Sequence, residues 1–296
     1  MTPSFEVHEA DISALQAAMA AGRVTGLGLL EAYLARIAAY DRHGPALRAM
    51  IRLNPAAEEA AASRDAERRA GRCRGPLHGV PVILKDNFAV TGMPVSAGSP
   101  ALADLRPRAD AFQVARLREA GAVILGLANM DELAEFTTGL SSLGGQTRNP
   151  YDPARIPGGS SGGSAVAATA SYAAVAFGTD TGSSLRIPAS DNNLFTLRPT
   201  KGLSGMSGIL PYSRTHDTAG AMMRCVSDLA CALDATVGAD PADAATRILD
   251  GGPPPTFTAA LDAGHCAARA SVSSAAPSTA RRRRRSRLSS RARSRA

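Results

Sequence analysis

The sequence predicts an α/β protein whose sheet is covered by helices on both faces. Two observations carry that class. GVPVILK (79–85) and AVILGL (122–127) are short, continuously apolar, β-favouring runs, the pattern of strands buried on both sides. Between them, AFQVARLREA (111–120) has helical spacing, and strand, helix, strand in that order marks the α/β class. The 296 residues, 45% of them hydrophobic, suffice for one large or two ordinary domains.

Taken in order, the chain opens on helices. In the second, Leu27, Leu30, Leu34 and Ile37 fall at helical spacing behind a Thr25 cap, so one apolar face points inward. A third opens at Asn54, with Pro55 in its first turn, and stops near Gly71, the expected placement of cap, proline and glycine. After the strand-helix-strand segment, residues 154–190 read as a glycine-serine loop, an alanine-rich helix, a short strand near AAVAFG and a second glycine-serine loop. A further helix is predicted at VSDLACALDATVG (226–238), after which PADAATRILDGGPPP breaks into proline and glycine. Beyond about residue 256 the chain is largely Ala, Ser and Arg without apolar period, so 256–296 is expected to be a disordered tail. The domain would then be 1–255, with N-terminal helices over 1–72 and a catalytic α/β part over 73–255.

The net charge of +7 is concentrated at the end of the chain, because residues 281–296 hold nine arginines and no acid, leaving a slightly acidic body. No stretch approaches the roughly 18 uninterrupted apolar residues of a membrane span, and the opening MTPSFEVHEADIS has no basic region leading into an apolar one. A cytoplasmic protein without a membrane partner is expected. Cys73, Cys225, Cys231 and Cys266 form no CxxC pair, and His8, His43, His78, His216 and His265 form no HExxH pair, so no metal is expected.

The two glycine-serine loops are the informative region. The first lacks the GK[ST] ending of a phosphate-binding loop, and a flexible linker would not run directly into a small-residue helix and a buried strand. Gly159 to Gly163 around Ser161 match GxSxG, but that nucleophile elbow needs a preceding strand, and RNPYDPARIP is a proline-broken loop. It also needs an acid and then a histidine downstream, whereas His216 precedes Asp217.

Taken together, GVPVILKDNF around Lys85, PGGSSGGS around Ser160 and GTDTGSSLRIPA around Ser184, at separations of 75 and 24 residues, resemble the amidase-signature family from about residue 5 to about residue 255. The resemblance implies a central mixed β-sheet covered by helices on both faces. It makes Ser184 the nucleophile, Ser160 the proton relay and Lys85 the base, a role that requires a neutral lysine and hence burial. It further implies a cis peptide between Gly159 and Ser160, and an oxyanion hole of backbone N–H groups from Thr181, Gly182, Ser183 and Ser184. Gly159 and Ser161 would support the relay loop, and Asp180 and Arg186 would brace the nucleophile turn.

Several positions depart from the family pattern. Ser183 replaces a usual glycine, which would cost about 1–2 kcal/mol if the position required positive φ. Leu127, Ala128, Thr196 and Ala221 are smaller departures. The second half usual in the family is missing, so the C-terminal part of the core is expected to be absent, through a frameshift or truncation near residues 262–270.

The implied activity is hydrolysis of a linear carboxamide, on a small-molecule or peptide amide substrate, with no cofactor; a homodimer is compatible with it. Ile187 stands where the glutaminase subunit of the tRNA-dependent amidotransferase usually has glutamine, which favours the general or peptide-amide branch. That glutaminase subunit is the first alternative, and an inactive truncated fragment that pairs with another chain is the second. Nucleic-acid binding by the arginine tail is the weakest, because the body shows no basic stripe or aromatic platform to accompany it.

Overall fold

Why the centre of this chain folds as a sheet is visible in its burial. The computed structural model describes residues 5–262, and the expected tail from residue 263 onward lies outside them. In chain order the described elements begin with α1 (Ile12–Ala20), α2 (Gly26–Tyr40), β1 (Met50–Leu53), α3 (Ala57–Arg69) and β2 (Pro81–Lys85). They continue with α4 (Phe112–Glu119), β3 (Val123–Ala128), a small hairpin of β4 (Leu140–Ser141) and β5 (Gly145–Gln146), α5 (Gly162–Thr169) and β6 (Val175–Asp180). Last come α6 (Arg186–Asp191), β7 (Phe195–Thr196), β8 (Thr218–Met223) and α7 (Val226–Thr236). Every residue of β2, β3, β6 and β8 is buried. Because side chains alternate between the two faces of a strand, uninterrupted burial means that both faces are covered.

The main sheet has six strands in the order β1-β3-β2-β6-β8-β7. β3, β2 and β6 run parallel, while β1 pairs antiparallel with β3, β8 with β6 and β7 with β8, so the sheet is mixed. Helices flank it. α5 packs across β2, β3, β6 and β8, while α2, α3 and α7 contact β2, β3 and β8 respectively. The small residues of α5 permit its approach. A Cβ at Gly163 would lie 2.3 Å from the Asn129 carbonyl and 2.6 Å from that of Ala49.

The expected helices are present, with two adjustments. In α2 the Thr25 hydroxyl accepts from the Gly28 N–H at 3.0 Å, and Leu29, Leu30, Tyr33 and Ile37 are buried while Leu27 and Leu34 are only partly so. The buried stripe is therefore rotated toward Leu29 and Tyr33. α3 starts at Ala57 rather than Asn54 because Asn54 still belongs to the strand edge: its N–H pairs with the Leu125 carbonyl at 2.8 Å. Its side chain then accepts from Ala56 N–H at 3.0 Å, turning the chain into the helix. At the far end, the N–H groups of Phe257 and Thr258 are bonded to the Asp234 carboxylate of α7, so the chain stays attached to the domain slightly past residue 255. None of the described helices is long and apolar enough to cross a membrane.

Candidate active site

The three parallel strands β2, β3 and β6 bring their C-terminal ends to one edge of the sheet, where open α/β sheets place their sites. β2 ends on Lys85, whose register partner is Ala128 at the end of β3. Asn129 to Asp131 follow β3, and β6 ends on Thr179 and Asp180 and runs straight into the second glycine-serine loop.

Lys85 is completely buried. Its Nζ donates to Ser160 Oγ at 2.8 Å and to Thr179 Oγ1 at 2.9 Å, and among the described residues it makes no salt bridge. Burial therefore dominates its protonation. It lowers the amine to about 7, against a smaller opposing pull from the negative charges of Asp131, Asp180 and Asp217.

Ser160 is also fully buried, the Gly159–Ser160 peptide is cis, and the Ser160 carbonyl accepts from the Asp131 N–H at 3.1 Å. Only glycine fits before it, since a Cβ at Gly159 would lie 1.9 Å from Asp131 Oδ2. Ser161 is occupied structurally: its hydroxyl donates to the Thr179 carbonyl at 3.1 Å and accepts from the Thr179 N–H at 3.3 Å, pinning the loop to β6. A hydroxyl committed to strand backbone on both counts is no free nucleophile, which agrees with rejecting the GxSxG elbow.

Ser184 sits at the rim, 8% exposed. The two loops are joined by the Ser161 N–H donating to the Ser184 carbonyl at 3.3 Å. No hydrogen bond joins Ser160 Oγ to Ser184 Oγ, and the Ser184 hydroxyl has no hydrogen-bond partner among the described residues. The N–H groups of Gly182, Ser183 and Ser184 are likewise unbonded among them, so this turn presents donors rather than consuming them. Ser183 does not adopt positive φ, so its side chain carries none of the backbone penalty its glycine-replacing position suggested.

The turn is held from behind by Asp180. Its carboxylate accepts from Leu185 N–H at 3.0 Å, from Arg186 Nε at 3.1 Å and from Arg198 Nε at 3.2 Å. Burial alone would raise this acid, but the hydrogen bonds from Arg186 and the Leu185 N–H and the Arg186 charge outweigh it and hold the carboxyl below its ordinary value. Asp180 and Arg186 therefore meet directly behind the turn. Thr181 donates its hydroxyl to Asp217 Oδ1 at 2.5 Å, and Asp217 in turn accepts from the N–H groups of Tyr212 and Ser213 at 2.9 Å each.

Sequence reasoning missed Thr179, Asp131, Asp217 and Arg198. Only Thr179 lies inside a quoted motif, and each meets its partner in the site across 18 or more residues. A cavity of about 310 Å³ lined by Lys201, Ile209 and Arg214 among others reaches this turn through Asp217, though none of Lys85, Ser160 and Ser184 lines it. Among the described residues no cluster of three or more His, Cys, Asp or Glu side chains is arranged to hold a metal ion.

A buried lysine thus meets a serine beside a turn of unbonded N–H groups, at the carboxyl edge of a mixed sheet. The family model for Amidase matches residues 28–271. The chain belongs to the amidase family. It is similar to the native peptide amidase from Stenotrophomonas maltophilia, at 51% identity and a TM-score of 0.83, over 86% of this chain and 53% of that one. An amidase family protein from Bacillus anthracis str. Ames is 37% identical with the same TM-score, over 86% and 52% of the two chains. A glutamyl-tRNA(Gln) amidotransferase subunit from Chloroflexus aurantiacus is 42% identical over 257 residues, 86% of this chain and 52% of that protein. The chain spans about half the length of the curated relatives it matches.

Proposed function

We propose that this chain hydrolyses a linear carboxamide to a carboxylate and ammonia through Lys85, Ser160 and Ser184, with an acyl-enzyme on Ser184. The observation that carries the reading is the Lys85 amine: fully buried, 2.8 Å from Ser160 Oγ and lowered to about 7, it can be neutral at physiological pH. Ser184 Oγ attacks the amide carbon while its proton passes to Ser160 Oγ and the Ser160 proton passes to Lys85 Nζ. The Ser160–Ser184 contact would close in the substrate complex, where catalytic hydrogen bonds tighten. The negative oxygen of the tetrahedral intermediate is held by the N–H groups of the Thr181–Ser184 turn, a donor of this kind contributing about 10²- to 10³-fold. The proton returns through Ser160 to the leaving nitrogen as the C–N bond breaks. Water, deprotonated by the same route, then cleaves the ester and restores Ser184.

Peptide amides are the favoured substrates. The support is the 51% identity to a protein named peptide amidase, against 42% to the amidotransferase subunit, together with Ile187 beside the nucleophile turn. The second reading, a glutaminase subunit working with partner proteins, rests on those curated relatives being named as subunits. Ammonia release from peptide amides, simple aliphatic amides and glutamine, with a Ser184→Ala control, separates the two. Release from peptide amides that disappears in the control is expected. Release from glutamine alone would favour the glutaminase reading, and no release from any of them would mean that the chain is not a working amidase.

A further inference from the structure

Asp131 is fully buried directly after β3, and its environment is unusual for a buried acid. Its Oδ1 accepts from the Thr138 N–H and hydroxyl, both at 2.8 Å, and its Oδ2 accepts from the Gly139 N–H at 2.8 Å. Its own N–H holds the Ser160 carbonyl at 3.1 Å, and Oδ2 packs so closely on Gly159 that no Cβ would fit. All of these partners are neutral, and Asp131 makes no salt bridge among the described residues.

Of the other two acids that act on Lys85, one is ion-paired and one is not. Asp180 is paired with Arg186 and Arg198. The Asp217 carboxylate is engaged by Thr181 and two N–H groups, with Lys201 Nζ on its carbonyl at 2.9 Å. Of the three, Asp131 exerts the largest charge effect on Lys85.

We propose that Asp131 is a positioning residue of this site, clamping the Thr138–Gly139 turn onto the Gly159–Ser160 peptide and supplying an uncompensated negative charge against which Lys85 exchanges its proton. This rests on the amidase reading for its purpose, but not for its test. Removing the charge leaves the desolvation of Lys85 opposed only by Asp180 and Asp217, so the amine becomes easier to deprotonate. The isosteric Asp131→Asn keeps the side-chain shape, and Asp131→Ser, which leaves the Gly159 contact open, is the second variant.

The chain has only two lysines, Lys85 and Lys201, so NMR of the full chain carrying isotope-labelled lysine follows the Lys85 amine directly, with Lys201→Arg giving the assignment. The expected result is a Lys85 titration midpoint about one unit lower in Asp131→Asn than in the unsubstituted protein, in a chain that still melts cooperatively. The acid limb of the pH–rate profile for amide hydrolysis should move by the same amount. A folded variant with an unmoved Lys85 midpoint overturns the proposal, and so does loss of folding in both variants, which would make Asp131 a structural brace alone. If the unsubstituted protein releases no ammonia, the functional reading falls, while the NMR titration still decides the role of Asp131.

Discussion

Because Lys85 must be neutral to accept a proton and its burial lowers it to about 7, amide hydrolysis should switch on across neutrality. With that midpoint the neutral fraction is about 9% at pH 6, about half at pH 7 and about 91% at pH 8. The rate at saturating substrate should therefore rise about tenfold between pH 6 and pH 8 and then level off. A lysine at its ordinary value of 10.5 would behave differently, with a rate still climbing about tenfold per unit at pH 9. Ammonia release measured from pH 5.5 to 9.5 at constant ionic strength separates the two curves. A profile that keeps rising above pH 8.5, or a Lys85→Met variant that keeps its rate, would refute the reasoning. The same group makes a stability statement. In the folded chain Lys85 holds its proton less tightly than in the unfolded chain, so between about 7 and 10.5 the unfolded state binds more protons and stability rises with pH. That contribution is absent below about 7, and the Lys85→Met variant should lack it altogether.

Two further substitutions test the division of labour in the first glycine-serine loop. Ser161→Ala removes a buried hydroxyl bonded to both backbone groups of Thr179, so it should lower stability by about 1–2 kcal/mol in a denaturant titration while amide hydrolysis persists; abolished chemistry in a folded Ser161→Ala chain would revive the elbow reading. Gly159→Ala would drive a methyl group onto Asp131 Oδ2 and should cost about 1–3 kcal/mol or more together with most of the activity, whereas a variant of unchanged melting temperature would show that the Asp131–Gly159 contact is loose.

Much of the site was legible in the chain because its residues are clustered in short, compositionally distinctive strings. PVILK reads as a buried strand and ends on Lys85, and both glycine-serine loops stand out from their surroundings. β8 escaped notice because TAGAMM contains almost no β-favouring side chains; it is a strand through its pairing with β6, not through propensity. The short α6 was hidden by Pro188 within it and by the glycine-serine loop before it. The second layer of the site was illegible for a different reason. Thr179 meets Lys85 across 94 residues and Asp217 meets Thr181 across 36, distances that no local pattern encodes. Ser183 shows the converse error, since a family glycine suggested a conformational demand that the turn does not impose here.

The most direct test is to find where the acyl group goes. Rapid quenching of the full chain with a peptide amide, followed by proteolysis and mass spectrometry, locates any ester formed during turnover. The proposed chemistry predicts an acyl group on Ser184 that forms with ammonia release and is absent from Ser184→Ala; an acyl group on Ser160 or Ser161, or ammonia released with none at all, would contradict it.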